Sequence, residues 1–439
     1  MIQTDKLYEI FCQHPEIVTD SRQILPGCLF FALKGARFDG NQYALEALES
    51  GAAYAVIDDA RLPNDPRLLL VEDVLGAMQA LAREHRRRMG IPVIAITGTN
   101  GKTTTKELAA AVLSTTYRLL YTQGNLNNHI GVPLTLLRLR QEHQLALVEM
   151  GASKPGDIAE LCAIAEPNYG IITNIGQAHL EGFGSLEGVL RTKGELYDWL
   201  RNHEGKAIRN ADDPLLRDIA DGIPSVLYGQ GSEALIRGEL LSQEAGKLFF
   251  ELQWSAEVIG IEGQRQATQL VGAYNMGNVL AAVALGLFLD VPSEEIVRSI
   301  AAYSPSNSRS QLMHTPLDNL VIADAYNANP SSMHHALENF FAIESPRPRL
   351  LILGDMNELG TQAHEAHQIL YEEIQRLAQE GDQLWLCGPI WAGMGLTERT
   401  FASAVELEHY LSKGNVPHGH LILVKGSNGI RLNNILPKL

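Results

Sequence analysis

The run Thr97-Gly98-Thr99-Asn100-Gly101-Lys102-Thr103-Thr104 constrains this chain more than any other stretch, because it follows an apolar strand and opens a helix. Pro92 to Ile96 has the length and β-branched content of a buried parallel strand, and Lys106 to Leu113 carries the period of an amphipathic helix. Strand, glycine turn and helix in that order make a phosphate cradle. Gly98 and Gly101 permit a turn tight enough to aim successive N–H groups inward, and the helix N-terminus adds partial positive charge. Lys102 can reach the outer phosphates and Thr103 can offer a hydroxyl to Mg²⁺, with Thr99, Asn100 and Thr104 completing the cradle. The spacing is a compressed variant of G-x-x-x-x-G-K-[ST], since Ile96 stands six before Lys102 and the first glycine of the loop is Gly98. A glycine turn alone is often a plain strand-to-helix connection; Gly-Lys-Thr in this context points to a nucleotide.

At 439 residues the chain exceeds one ordinary core, and about 150 residues per domain suggests three domains. No apolar run approaches membrane-spanning length, and Met1-Ile2-Gln3-Thr4-Asp5-Lys6 lacks a basic-then-apolar leader. A cytoplasmic monomer without membrane insertion is therefore expected. Cys12, Cys28, Cys162 and Cys387 form no close pair, so they read as core or incidental thiols rather than a disulfide framework or a zinc site. A formal charge of −16 argues against a nucleic-acid partner, although a local basic cleft for an anion remains compatible with it. Arg86-Arg87-Arg88 closes a helix expected from about Asp73, where the cations suit the C-terminal dipole.

The fold class expected is α/β in three domains: a small N-terminal α/β domain over 1–90, a central phosphate-loop domain with a mostly parallel sheet over 91–305, and a Rossmann-like C-terminal domain over 306–439. In the first, Cys28–Leu33 and Ala53–Ile57 read as strands around a helix over Gln42–Ser50. In the second, strands alternate with helices until Lys247–Val271, where short strands and turns suggest an antiparallel addition before a helix over Asn275–Leu289. After Ser304-Pro305-Ser306-Asn307-Ser308 a further strand–helix series begins at Leu320.

Ligands of parallel sheets gather outside the carboxyl ends of the strands. Glu149 directly follows the strand Leu145–Val148 and His179 lies just beyond Ile171–Asn174, so both should face the loop. Either alone is ordinary at a strand end; with Thr103 they make a plausible oxygen-and-imidazole set for Mg²⁺. Lys193, at the expected start of a helix leading to Trp199, reads from its residues as a solvated lysine. Asn275 and Asn278 share a helix face, though Asn275 is also a fitting N-cap. Asp324 to Ser332 is a polar turn between strand and helix, a second ligand-facing edge, and Arg309 after the Ser-rich hinge can meet a transferring phosphate.

Together with the loop, Gly124-Asn125-Leu126-Asn127-Asn128, Val148-Glu149-Met150-Gly151, Asn174 to Glu181, Asn210-Ala211-Asp212-Asp213 and Tyr274-Asn275-Met276-Gly277-Asn278 resemble the ATP-dependent Mur ligases over essentially the whole chain. Asp324 to Ser332, Leu353 to Gly360 and Lys425-Gly426-Ser427 are similar to the branch that joins D-alanyl-D-alanine to UDP-N-acetylmuramoyl-tripeptide. That resemblance implies an ADP-forming ligase of peptidoglycan precursor synthesis, working through an acyl phosphate. It implies Lys102, Arg309 and Mg²⁺ for phosphoryl charge, Thr103, Glu149 and His179 for metal, and catalytic roles for Lys102, Lys193, Arg309 and His179. It reverses the residue-level reading of Lys193, which matches a lysine carbamylated by CO₂ to help bind a second Mg²⁺. It further implies Asn275 at adenine, Asp324 near the ribose, Asn127, Asn327 and Asn329 at substrate, and Ser21, Arg22 and Lys34 at the UDP end.

The chain departs from the family pattern at His129, where an acidic residue is expected, at Tyr274, where many members have His, and at Asn428, where Arg is usual. Rival readings are the ligase adding the third amino acid, a folylpolyglutamate synthetase, and a non-catalytic ATP-dependent switch. The Asp-Asn-Pro-Arg string of ligases selecting diaminopimelate is absent, and retention of Lys102, Glu149, His179 and Lys193 as a set disfavours a switch.

Overall fold

The computed structural model describes residues 1–36, 38–176, 180–244, 247–254, 265–305 and 309–439, with backbone alone at 180, 242–244 and 247–254. His179 and the hinge residues 306–308 lie outside the described residues. Three main sheets follow one another along the chain, with a separate two-stranded hairpin in the first region.

The first sheet has four parallel strands in the order Ile17–Val18, Leu29–Phe31, Tyr54–Ile57, Leu68–Leu70. The helix Val74–Met89 starts where the Asp73 carboxylate accepts from Gly76 N–H at 2.6 Å and stops at Gly90, whose φ of +66° suits glycine. Its basic end does more than complement the dipole. Arg86 is buried, and its guanidinium donates to Ala165 O, Glu166 O and Asn168 Oδ1, while Arg87 pairs with the Glu166 carboxylate. The sequence expectation of a simple dipole partner is corrected: a partly desolvated guanidinium needs acceptors, and it finds them in the next sheet's loops. The helix is thereby stapled to the central region, and one apolar core runs from Leu7 and Phe11 through Met78 to Val93 and Leu161.

The central sheet has nine strands, and Val93–Thr97 lies between Tyr169–Ile172 and Leu145–Glu149, all parallel. Helices cover both faces, so strand residues alternate between two cores: Val93 and Ala95 meet one, Ile94 and Ile96 the other. Truncating fully buried Ile96 to Ala would cost about 2–5 kcal/mol. Lys247–Trp254 and Arg265–Ala267 pair antiparallel at the far edge, in keeping with the change of pattern read there.

The loop helix runs Lys102–Leu113, starting four residues before the expected Lys106, so the threonines form its first turn. The helix Leu186–Asn202 puts Lys193 two turns inside rather than at its start. The third sheet has six strands in the order Gln311–His314, Leu320–Asp324, Leu421–Lys425, Arg349–Gly354, Gln383–Cys387, Arg399–Phe401, antiparallel only at the first pair. After Leu320–Asp324 the chain turns into the helix Pro330–Ala342, capped reciprocally by Asn329 and Ser332. The carboxyl ends of the central and third sheets face each other.

Candidate active site

Between those edges lies a cavity of about 1310 Å³, larger than a pocket for one small ligand. Its floor is the phosphate loop. Gly98 has φ +139°, and a Cβ there would sit 2.0 Å from Thr173 Oγ1; at Gly101, φ +80°, it would sit 2.3 Å from Asn278 Oδ1. Glycine is therefore required by space as well as by backbone sign. The loop is held from behind by main-chain and amide contacts. Thr99 N–H donates to Asn174 O at 2.9 Å, Asn100 N–H to Asn174 Oδ1 at 3.0 Å, and Thr173 Oγ1 to Asn100 O at 2.6 Å.

Lys102 lies at this floor with its ammonium donating to Gly98 O at 2.7 Å and Thr99 O at 2.9 Å. Desolvation holds its pKa down to about 8, with Glu149 opposing the shift and Arg309 adding to it. Arg309 and Glu149 thus both act electrostatically on the loop lysine.

Thr103 Oγ1 lies 3.2 and 3.0 Å from the two oxygens of Glu149, whose residue is only 1% exposed. Asn127 Nδ2 donates to Glu149 Oε1 at 2.8 Å. A hydroxyl, a carboxylate and open cavity beside them form a donor set suited to a hard divalent cation. Behind it stands Lys106, fully buried, which donates to Thr122 O at 2.8 Å, pairs with Glu107 and comes 3.9 Å from Glu149 Oε2. Thr122 Oγ1 in turn accepts from Glu149 N–H at 3.0 Å. Sequence reasoning missed Lys106. The signal was its place on the stripe 106, 109, 110, 113, where a lysine is buried among apolar neighbours.

Lys193 is 2% exposed, which overturns the solvated reading. It shares a helix face with Val189, Leu196 and Leu200, and its ammonium lies 5.3 Å from the Phe183 ring centre. Burial drives its pKa well below the usual lysine range, helped by Lys102 and opposed by Asp157 and Glu195. It does not line the cavity among the described residues.

Asn275 reaches the cavity wall, but its amide is engaged: Nδ2 donates to Val271 O at 2.7 Å and Oδ1 accepts from Asn278 Nδ2 at 2.8 Å. It stands at the N-cap position of the helix Met276–Phe288, as its residue type allows, but makes no side-chain cap; a 3₁₀ turn over Ala273–Asn275 leads into the helix. The opposite wall carries Arg309, Asp324, Asn327 and Lys425. Asp324 Oδ2 accepts from Lys425 Nζ at 2.5 Å, and Lys425 also donates to Asn327 O at 3.2 Å. The Arg309 guanidinium lies 3.8 Å over the Tyr326 ring. Lys425 was not among the expected site residues, although its place at the carboxyl end of an apolar strand marks it.

Asn329 is committed to capping and to a 2.9 Å bond from its Nδ2 to Asn100 Oδ1, which ties the third sheet's turn to the loop. Ser21, Arg22 and Lys34 lie away from this cavity, in the first region. Arg22 forks onto Asp20, and Lys34 pairs with Asp58 at 2.7 Å. The cysteines are unbridged, with Cys28, Cys162 and Cys387 buried.

Family models match along most of the chain: the Mur ligase family catalytic domain over residues 16–98, the Mur ligase middle domain over 96–286, and the Mur ligase glutamate ligase domain over 308–428. A curated relative from Bacillus subtilis (strain 168), UDP-N-acetylmuramoyl-tripeptide--D-alanyl-D-alanine ligase, is 34% identical over 434 residues, covering 96% of this chain and 92% of its own length. The crystal structure of MurF from Acinetobacter baumannii superposes with a TM-score of 0.82 at 31% identity, covering 96% of this chain and 92% of that one. The MurF ligase of Thermotoga maritima, solved in complex with ADP, gives a TM-score of 0.82 at 26% identity and 96% coverage of both chains. With a three-domain α/β architecture and a phosphate loop facing a second polar sheet edge, this chain belongs to the Mur ligase family.

Proposed function

We propose that this chain joins D-alanyl-D-alanine to UDP-N-acetylmuramoyl-tripeptide, converting ATP to ADP and phosphate, in the cytoplasm and as a monomer. One observation carries the reading: a loop lysine and a buried Thr103–Glu149 pair share a cavity with Arg309, Asp324 and Lys425 of another domain. The near-full-length likeness to the Bacillus subtilis ligase supports the choice of amine and acid. We assign residues 1–90 to the UDP end, with Ser21, Arg22 and Lys34 as its contacts, 91–305 to ATP, and 306–439 to the incoming dipeptide.

The tripeptide's terminal carboxylate attacks the γ-phosphorus of ATP, the bond to the β-bridging oxygen breaks, and ADP departs. The dipeptide amine then adds to the acyl phosphate carbonyl, loses a proton, and phosphate leaves as the amide forms. Lys102 and Arg309 offset charge on the moving phosphoryl group. Thr103 and Glu149, with His179 by resemblance, would hold Mg²⁺, which would supply positive charge to offset that of the phosphates. The loop amides over Gly98 to Thr104 cradle the phosphates, and Asn275 borders the base. Asn127 steadies Glu149, and Asn327 and Asn329 border the acceptor side.

The chemistry of Lys193 fits carbamylation. CO₂ reacts with an amine's free lone pair, and burial beside Lys102 favours that neutral form. As the nitrogen bonds to the CO₂ carbon and gives up a proton, the carbamate would place an anion near Lys102 where a neutral amine stood.

Phosphate release measured with the UDP-tripeptide, ATP and each candidate amine tests the proposal. Release that requires D-alanyl-D-alanine is expected; release only with a third-position amino acid or with glutamate would replace it by one of the rival ligases, and no amine-dependent release would favour a switch.

A further inference from the structure

Tyr274 sits at the junction of two domains, and the structure gives it a use. Its ring lines the cavity in the turn Ala273–Asn275, and its hydroxyl lies 2.6 Å from Ser310 Oγ, across the junction between the central and C-terminal domains. Ser310 is 7% exposed and holds φ +51°, a left-handed conformation uncommon for a residue with a Cβ. Its N–H donates to Asp324 Oδ1 at 3.3 Å, and Asp324 is the partner of Lys425. Arg309, the neighbour of Ser310, stacks on Tyr326. The same turn meets the C-terminal helix twice more: Ala273 N–H donates to Asn339 Oδ1 at 3.2 Å, and the Tyr274 ring faces His335 at 6.5 Å with planes 25° apart.

We propose that Tyr274 is a positioning residue: its hydroxyl holds Ser310 in the left-handed conformation that sets Arg309 and Asp324 against the phosphate loop. The idea rests on the ligase reading above. A strained backbone persists only where its surroundings hold it, and the Tyr274 hydroxyl is one such restraint on Ser310. The aromatic ring supplies the reach, and a phenylalanine would keep the packing while losing the bond. Burial, with Asp324 adding to it, raises the phenol's pKa above its ordinary value, so the link stays a neutral hydroxyl pair across physiological pH. If the link breaks, Ser310 is free to relax toward negative φ, and the direction of Arg309 changes with it. Nucleotide contacts made by the loop itself are untouched, so the loss should fall on turnover.

The test is a double-mutant cycle of Tyr274→Phe and Ser310→Ala in the complete ligase assay. Each single variant is expected to lower kcat about fivefold to tenfold while the KM for ATP stays within about twofold. The double variant is expected to be no worse than the poorer single, because both remove one link. Wild-type turnover in the same assay tests the ligase reading separately. Wild-type kcat in Tyr274→Phe, or losses that multiply in the double variant, would overturn the proposal. So would a loss that tracks a lowered melting temperature and disappears on assay at lower temperature, since that marks a general stability effect.

Discussion

On the central-domain wall of the cavity the main chain does the positioning: Gly98 and Gly101 hold positive φ, and amides of Thr99 and Asn100 are tied to Asn174. On the facing wall, charged side chains do it, through Asp324–Lys425 and Arg309 over Tyr326. Backbone contacts within one sheet are formed once the sheet folds, whereas the second wall faces the loop only when two domains stand in register. The comparison teaches where each kind of failure will be read. Damage to the first wall should remove nucleotide affinity, and damage to the second should spare affinity and slow the chemistry.

The largest effect expected concerns a residue of neither wall. Lys193→Ala should abolish measurable turnover, a loss of at least about 10³-fold, while leaving binding of a non-hydrolysable ATP analogue nearly intact by calorimetry. Near-normal rates would remove the carbamate from the account. Gly98→Ala tests the first wall. The added Cβ would meet Thr173 Oγ1 at 2.0 Å and Thr173 N at 2.9 Å, so nucleotide affinity should fall about tenfold to a hundredfold, the cost of about 1–3 kcal/mol of backbone strain. Unchanged affinity would mean that the loop is softer than its contacts suggest.

Lys425→Ala tests the second wall. It strands Asp324 without its cation and frees Asn327 O, and kcat should fall about tenfold with analogue affinity within about threefold. If affinity fell as far as kcat, the two walls would not be separable. The smallest effect is on pH. Lys102 has a pKa lowered to about 8, so its charge is complete below that value and lost as pH rises through it. The pH profile of kcat/KM for ATP should therefore show an alkaline limb near 8, which Lys102→Arg should move upward. A flat profile to pH 10 would show that loop amides alone set the nucleotide on-step.

The first wall was legible in the sequence because its signal is local. Strand, glycine turn and Gly-Lys-Thr are contiguous, and Glu149 follows from the rule that ligands sit beyond strand ends. The second wall was legible only in part. Asp324 stands in a polar turn, but its partner Lys425 lies far along the chain, and nothing in the spacing shows that two parallel strands will bring them together. Buried lysines were the systematic blind spot. Lys106 and Lys193 look solvated by residue type, yet each sits on an apolar helical stripe whose burial wins over the preference of the head group for water. Arg86 failed in the same way, its acceptors being supplied by loops of another sheet. Asn275 does stand at the N-cap position, as its residue type suggests, but its amide is engaged with Val271 O and Asn278 rather than with capping.

The central claim is that the acid is activated by direct phosphorylation inside this cavity, and isotope transfer tests it most directly. The UDP-tripeptide should be labelled with ¹⁸O in its terminal carboxylate and turned over with ATP and D-alanyl-D-alanine. An acyl phosphate requires that the phosphate released carry one labelled oxygen from the peptide. Phosphate free of label, formed alongside product amide, would contradict the account.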